Sequence, residues 1–371
     1  MTRPFASPSV RVAQLRDHLQ AQGAKAPHID RILRAWLNAR PLDAGPRHQP
    51  AESFLPLAVR QALPALAGEL DQLAEVVSEH PDGEGAARLL VKLSDQQLVE
   101  SVLLPRQGLC VSTQIGCAVG CTFCMTGREG LIRQVSSVEM LAQFVLARRQ
   151  RPIRRVVFMG MGEPSHNLDN VLETIELLGT AGGIGHKNLV FSTVGDHRVF
   201  ERLPQGPVVP ALALSLHSTR AELRAQLLPK AAAISPEELV DRAETYARRT
   251  GYPIQYQWTL LAGLNDSLDE MDGIVRLLHG KYAIMNLIPY NSTAALDFQR
   301  PALAHITTLA RYLHSQGIRT TVRNSAGQDV EGGCGQLRAR AENARRPGGA
   351  QSAKSLSPAT ATQLRPRRLA T

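Results

Sequence analysis

Three cysteines in the run Cys117-Ala-Val-Gly-Cys121-Thr-Phe-Cys124 stand close enough to grip one metal centre. Gly116, Gly120 and Gly127 make the loop that carries them supple. A [4Fe–4S] cube ordinarily takes four Cys thiolates and a structural zinc takes four ligands, so three leave one corner open for chemistry. On spacing alone two further readings stand beside the cube: a zinc knuckle completed by Cys110 or Cys334, and a redox dithiol. Zinc usually brings two C-x2-C pairs or histidine partners, and the sequence places neither here.

Polar residues and glycines gather at a second set of positions: Gly160-Met-Gly162-Glu163-Pro164, Ser192-Thr-Val-Gly195, Ser215-Leu216-His217-Ser218, Asn265-Asp266, Pro289-Tyr-Asn291 and Asn324-Ser-Ala-Gly327. Each follows a run that reads as a β-strand, at 154–159, 187–192, 209–216, 254–261, 283–288 and 318–322. Helical runs opened by Ser, Asn or Pro lie between them, at 137–149, 168–180, 236–249, 267–279 and 302–316. Strand–helix repetition of this length predicts an α/β fold with a parallel sheet and helices outside, as an open or closed barrel, whose chemistry sits at the carboxyl ends of the strands. On that rim Gly160, Gly162 and Pro164 let the backbone approach a ligand, and Glu163 can accept from an amine. Ser192, Ser215, His217 and Asn291 can meet the hydroxyls, carboxylate or base of a nucleotide-like cofactor. Taken singly, each is also an ordinary turn, and His217 also reads as a hydrogen-bonded core residue.

Ahead of the barrel, apolar residues at helical spacing predict helices over 10–19, 29–39 and 58–76, with a Pro-rich linker over 41–50. Runs at 87–93 and 98–105 predict a strand hairpin leading into the cysteine loop. The expected division is an N-terminal helical accessory domain for RNA over 1–80, a hairpin linker over 81–106, a catalytic barrel over 107–340 and a basic tail, expected to be disordered, over 341–371. At 371 residues and 43% hydrophobic content the chain can bury a large core. No run approaches ~18 consecutive apolar residues, and the start has no apolar stretch of the secretory kind. A soluble cytoplasmic protein with no membrane partner is therefore expected. Five cysteines, four of them between positions 110 and 124, suit a metal or redox site in a reducing compartment better than a disulfide scaffold. The net charge is +9, but the stretch from Gly335 onward holds eight basic residues against Glu342 alone, leaving the body near neutral. Such a tail adds salt-sensitive affinity for RNA or merely solubilises. Aromatic content of 4% argues against an open stacking platform for single strands.

With these motifs on the page, the chain resembles the radical S-adenosylmethionine (SAM) superfamily and, within it, the RlmN/Cfr branch of RNA adenine methyltransferases. The resemblance runs in order through Leu109-Cys-Val-Ser-Thr-Gln-Ile-Gly-Cys117, Cys121-Thr-Phe-Cys124, Met159-Gly-Met-Gly-Glu-Pro164, Ser215-Leu-His217, Asn286-Leu-Ile-Pro-Tyr-Asn291 and Gly333-Cys-Gly-Gln-Leu337. It implies a partial (β/α)6 barrel behind a small N-terminal helical domain. Cys117, Cys121 and Cys124 would hold one [4Fe–4S] cluster, and Gly162, Glu163, Ser192, Ser215, Leu216, His217 and Asn291 would line the SAM pocket. Cys334 would be methylated by one SAM, and a second SAM, cleaved by an electron from the cluster, would yield the radical that activates that methyl group. Cys110 would release the product by a transient disulfide with Cys334, and Glu100, ten residues before Cys110, would be the proton acceptor.

A radical carrier makes physical sense for such a substrate, because an electron-poor ring carbon such as adenine C2 does not attack an electrophilic methyl donor. The glycines around Cys334 suit a segment that dips into a barrel mouth and withdraws. The implied partners are 23S rRNA, tRNA for members of the RlmN type, and an electron donor such as flavodoxin; a monomer is expected. Methylation at adenine C8, or of a substrate other than RNA, is the alternative, and a zinc-bearing RNA-binding protein without catalysis is the second.

Overall fold

The computed structural model describes residues 10–45, 49–293 and 295–339, and ten of the twelve strands among them bond into one sheet. In chain order the helices and strands are α1 (Val12–Ala21), α2 (Ala26–Leu37), α3 (Leu57–Asp71), β1 (Ala74–Pro81), β2 (Ala87–Leu93), β3 (Leu98–Leu104), β4 (Gly108–Cys110), β5 (Gln114–Gly116) and β6 (Leu131–Gln134). There follow α4 (Ser137–Gln150), β7 (Arg155–Phe158), α5 (Leu168–Thr180), β8 (Leu189–Thr193), α6 (His197–Arg202), β9 (Ala211–Ser215), α7 (Ala221–Leu227), α8 (Pro236–Thr250), β10 (Ile254–Leu260), α9 (Leu268–Leu278), β11 (Ala283–Pro289), α10 (Leu303–Ser315) and β12 (Thr320–Val322). The sheet order is β1-β2-β3-β4-β7-β8-β9-β10-β11-β12, and β5 pairs with β6 apart from it.

From β4 to β12 every neighbouring pair in the large sheet is parallel. These strands are short and apolar, as Val156-Val-Phe158 and Ala211-Leu-Ala-Leu214 show, because helices cover their outer face and a lumen faces the inner one. Helix starts follow the side chains that satisfy free N–H groups: Ser136 accepts from Glu139, Asp196 from Arg198, Ser235 from Glu238 and Ser267 from Glu270. The result is an open α/β barrel, the expected class. The expected strands lie within it, although the one expected over 187–192 starts two residues later, at Leu189, after a 3-10 turn.

The amino-terminal side departs from expectation in one element. The helix expected over 58–76 stops at Asp71, and Ala74 already pairs with Leu93. From Ala74 the side chains alternate between buried and more exposed, a period of two that outweighs the helical pattern before it. Antiparallel β1, β2 and β3 thus extend the barrel sheet itself. Helices α1 and α2 are seated on α4 and α5: the Val12 N–H donates to Ser137 Oγ at 3.0 Å, the Ala13 N–H to Glu173 Oε1 at 3.1 Å, and Arg148 Nη1 to the Leu37 carbonyl at 3.0 Å. One continuous apolar core runs from Val10 to Leu337. The expected tail over 341–371 lies outside the described residues.

Candidate active site

The cysteine loop is the tip of the β5–β6 ribbon, and its neck is closed by backbone. The Cys117 N–H donates to the Gly130 carbonyl at 2.9 Å. A Cβ on Gly116 (φ +73°) would stand 2.0 Å from that same carbonyl oxygen, so only glycine fits. Val119, Phe123, Val194, Leu227, Leu261 and Tyr290 form an apolar cluster around Cys117, and the Thr122 N–H donates to the Leu227 carbonyl at 3.0 Å. Among the described residues, no three His, Cys, Asp or Glu are gathered as ligands of a single metal ion. The three thiols instead line a pocket shared with Gly162, Glu163, Ser192, Ser215, His217 and Cys334.

Burial pushes the Cys117 thiol up to about 12, with Glu163 and Cys124 adding to the rise. Burial and the neighbouring thiols raise Cys121 likewise, and burial raises Cys124. Three thiols that resist ionising in an apolar wall are the donor set a cationic iron centre would convert to thiolates. Polar atoms left over in this region fit a polar cofactor. Gln257 Oε1 and Tyr290 Oη, both in the pocket wall, are buried without a partner among the described residues, as is Asn291 Oδ1. Residues of this chain therefore suit both a cluster and a nucleoside-bearing ligand.

Glu163 is fixed by its surroundings. Its carboxylate accepts from the Ser165 N–H at 3.0 Å and the Val194 N–H at 3.0 Å, and its own N–H donates to Gln114 Oε1 at 2.7 Å. The glycines before it, which line the same pocket, are also required by the protein's own packing. A Cβ at Gly160 would lie 2.7 Å from Ser112 Oγ, and one at Gly162 (φ +101°) 2.5 Å from Gln114 Cβ, so they let this turn pack on the strand leading into the cysteine loop.

His217 adopts φ +61° and is 5% exposed. Burial first, and then Arg224, bring its imidazole down to about 3, so it is neutral. Its Nδ1 accepts from the Thr259 N–H at 3.0 Å, which places the ring proton on Nε2, and the ring meets Phe123 edge to face at 4.9 Å. Leu216 is fully buried and is not among the pocket's lining residues.

The remaining expected residues meet at the segment that carries Cys334. Cys334 lines the three-thiol pocket and also a second cavity, which Cys110 lines too. Burial pushes the Cys110 thiol up to about 12, and Cys334 pushes the same way, so the two sulfurs sense each other. Asn291 is not in the pocket wall. Its Nδ2 donates to the Cys334 carbonyl at 2.9 Å and to Ser325 Oγ at 3.0 Å, holding the turn instead. Glu100 is buried beside that segment. It pairs with Arg88 Nη1 at 2.6 Å and accepts from the N–H groups of Arg338 at 2.8 Å and Ala339 at 3.1 Å.

Sequence reasoning gave no role to four residues here. Gln257 and Tyr290 line the pocket, and each carried a signal, Gln257 as a polar residue in an apolar strand and Tyr290 as the residue just after one. Arg88 shows only as a strand cation. Arg224, on α7, is a buried guanidinium that senses both Cys121 and Glu163 and donates to the carbonyls of Val194 and Ser215. Nothing around it in sequence marks it.

A profile of the Radical SAM superfamily matches residues 111–278. A protein named "Probable RNA methyltransferase" from Dechloromonas aromatica is 73% identical over 331 residues, covering 89% of this chain and 93% of that one. A protein of the same description from Pseudomonas aeruginosa is 68% identical over 332 residues, covering 90% and 96%. The crystal structure of a radical SAM methyltransferase from Sphaerobacter thermophilus superposes with a TM-score of 0.77 at 32% identity, covering 91% of this chain and all of that one. The open barrel, the three-thiol loop at its rim and these likenesses agree: the chain belongs to the radical SAM superfamily, as a member of the methyltransferase family that these relatives represent.

Proposed function

We propose that this protein methylates an adenine ring carbon, C2, in 23S rRNA and in tRNA, with the Cys334 sulfur as carbon carrier and two SAM consumed per turnover. The RNA substrate is supported by the relatives' shared description. The carrier is supported by one observation above the rest: Cys334 stands in the wall of the pocket with Cys117, Cys121 and Cys124 and in the wall of the cavity with Cys110. A sulfur so placed can be loaded on one side and relieved on the other.

Cys117, Cys121 and Cys124 would hold the [4Fe–4S] cluster, with Glu163, Ser192, Ser215 and His217 around SAM. When bound, cluster and SAM together supply one-electron chemistry able to take a hydrogen atom from an unactivated methyl group. The chain's residues do the rest. The Cys334 thiol loses its proton, its sulfur accepts a methyl group, and Sγ then holds that carbon against the base. The Cys110 thiol then gives up its proton and attacks Cys334 Sγ; the S–S bond forms as the S–C bond breaks, and the carbon keeps the bonding pair, takes a proton and leaves with the RNA as a methyl group. Neutral His217 can donate from Nε2 without adding charge beside the iron site. Loss of the ring proton needs a base. Glu100 serves as that base only when its hold on Arg88 loosens; bound as it is here, it anchors the segment that follows Cys334.

The reading extends to a monomer working in the cytoplasm with a flavodoxin-like electron donor. It is tested by mass spectrometry of nucleosides from rRNA and tRNA of cells lacking the protein, where 2-methyladenosine should vanish and return on complementation. Loss of 8-methyladenosine instead would move the reaction to C8, and unchanged adenosines in both RNAs would refute the assignment.

A further inference from the structure

The second cavity, of about 540 Å³, is lined from β3, β4 and β7 and from the segment after β12. Arg106 precedes β4, Arg154 precedes β7 and Arg155 begins it, and Arg323 follows β12; Glu84 is the one acid in its wall. Several arginines elsewhere in this chain are matched with carboxylates, as Arg133 is with Asp95 and Glu139, Arg220 with Glu270 and Arg338 with Glu331. These four have no carboxylate partner among the described residues. Arg155 and Arg323 stand close enough that Arg323, after burial, holds the Arg155 guanidinium below its usual value. Like charges gathered without a counter-ion at a cavity mouth form a site for an anion supplied from outside. The inner wall of the same cavity carries Cys110 and Cys334.

We propose that this cavity is where RNA enters: the four arginines bind the phosphodiester chain on either side of the target nucleotide, and its base passes inward to lie between the two thiols. The inference rests on the RNA reading above and adds the face by which RNA arrives. Two routes then meet at Cys334: the cofactor pocket is lined at the carboxyl ends of the strands, whereas this entry is lined along β4 and β7 from end to end and by the segment after β12, and Cys334 belongs to both.

The test uses the full-length holoprotein and a labelled, unmodified tRNA transcript, with affinity measured by fluorescence anisotropy across a range of salt. Arg155→Ala with Arg323→Ala should bind about tenfold or more weakly at low salt, and the slope of log affinity on log salt should fall by about two, one for each lost phosphate contact. The paired change Arg155→Lys with Arg323→Lys should restore the slope, which loss of folding would not allow. Arg249→Ala, on the exposed side of α8, should match wild type. Wild-type affinity and slope in the double alanine variant, with wild type still methylating RNA, would overturn this entry and leave the function standing. Absence of any RNA binding or methylation by wild type would overturn both. Protection of the cavity arginines from an arginine-specific reagent by inorganic phosphate but not by tRNA would assign them to a free anion and overturn the proposal.

Discussion

The loop bearing Cys117, Cys121 and Cys124 and the segment bearing Cys334 meet at one place but are held there by opposite means. The loop is built into the fold: a β-ribbon closes its neck, an apolar cluster surrounds it, and Gly127 presses within 2.8 Å of Gly120 Cα at the point where its Cβ would be. The segment from Gly327 to Ala339 has only a short 3-10 turn and hangs on discrete contacts. Asp82 accepts from the Gly327 N–H at 3.1 Å, Arg88 Nε donates to the Val330 carbonyl at 2.6 Å, Asn291 holds the Cys334 carbonyl, and Glu100 holds the N–H groups of Arg338 and Ala339. Cys334 itself is exposed. A metal site needs fixed ligands, whereas a carrier must yield its cargo, and the two attachments differ accordingly.

The sharpest test of that division replaces one thiol on each side. Cys124→Ala should remove the cluster, taking iron from about four per chain to near none and ending SAM cleavage. Cys334→Ala should keep its iron and still cleave SAM, yet methylate no RNA. Iron lost equally from both variants would erase the distinction between ligand and carrier. Next in size, Cys110→Ala should stop the reaction after one turnover and leave RNA covalently joined to Cys334, seen as a protein–RNA band that nuclease removes. Free methylated RNA from that variant would deprive Cys110 of its role.

The hydrogen bonds of the carrier segment should give smaller effects. Asn291→Ala removes its tie to the Cys334 carbonyl, a bond of about 1 kcal/mol, and should slow methylation roughly fivefold while leaving iron unchanged. Glu100 divides two roles. Arg88 and Glu100 are 10% and 2% exposed at their side chains, so Arg88→Ala would strand a buried carboxylate at a cost of about 3–5 kcal/mol and confuse stability with catalysis. Glu100→Gln keeps the shape and is the better probe. A loss of about 10²–10⁴ with the RNA adduct accumulating would mark a base; a loss near that of Asn291→Ala with no adduct would mark a tether.

Much of the loop was legible in sequence and much of the segment's attachment was not. Ligands of one metal centre must lie close together on a tight loop, so Cys117, Cys121 and Cys124 announce themselves by spacing. The rim also shows, because each barrel strand is an apolar run ended by polar residues, as at Ser192 and Ser215. Contacts that join distant positions leave no period to read. Arg88 reaches Val330 across 242 positions and Glu100 reaches Arg338 across 238, and nothing local to either marks the pairing. Asn291 was legible as polar and close to the site, but its partner, the Cys334 carbonyl, was not. Gly160 and Gly162 were legible as close approaches, but their packing on Ser112 and Gln114 was not. The strand β1 was hidden by the helical pattern running into it.

The smallest effect concerns the fixed side of the comparison. His217 is neutral in the folded protein because its imidazole is pushed down to about 3, whereas in the unfolded chain it titrates near 6.5. Below 6.5 the unfolded state takes up a proton that the folded state refuses, so stability falls as pH drops from about 6.5 towards 3. By about pH 4.5 the loss is on the order of 3 kcal/mol. His217→Gln has nothing to protonate there and should show a flatter acid limb in urea midpoints measured at several pH values on the metal-free protein. It should be less stable than wild type near neutrality, where the bond from the Thr259 N–H and the ring contact with Phe123 are weakened. Parallel acid limbs for the two proteins would mean that the proton is taken up elsewhere, and that the wall beneath the cysteine loop is less rigidly dry than its packing implies.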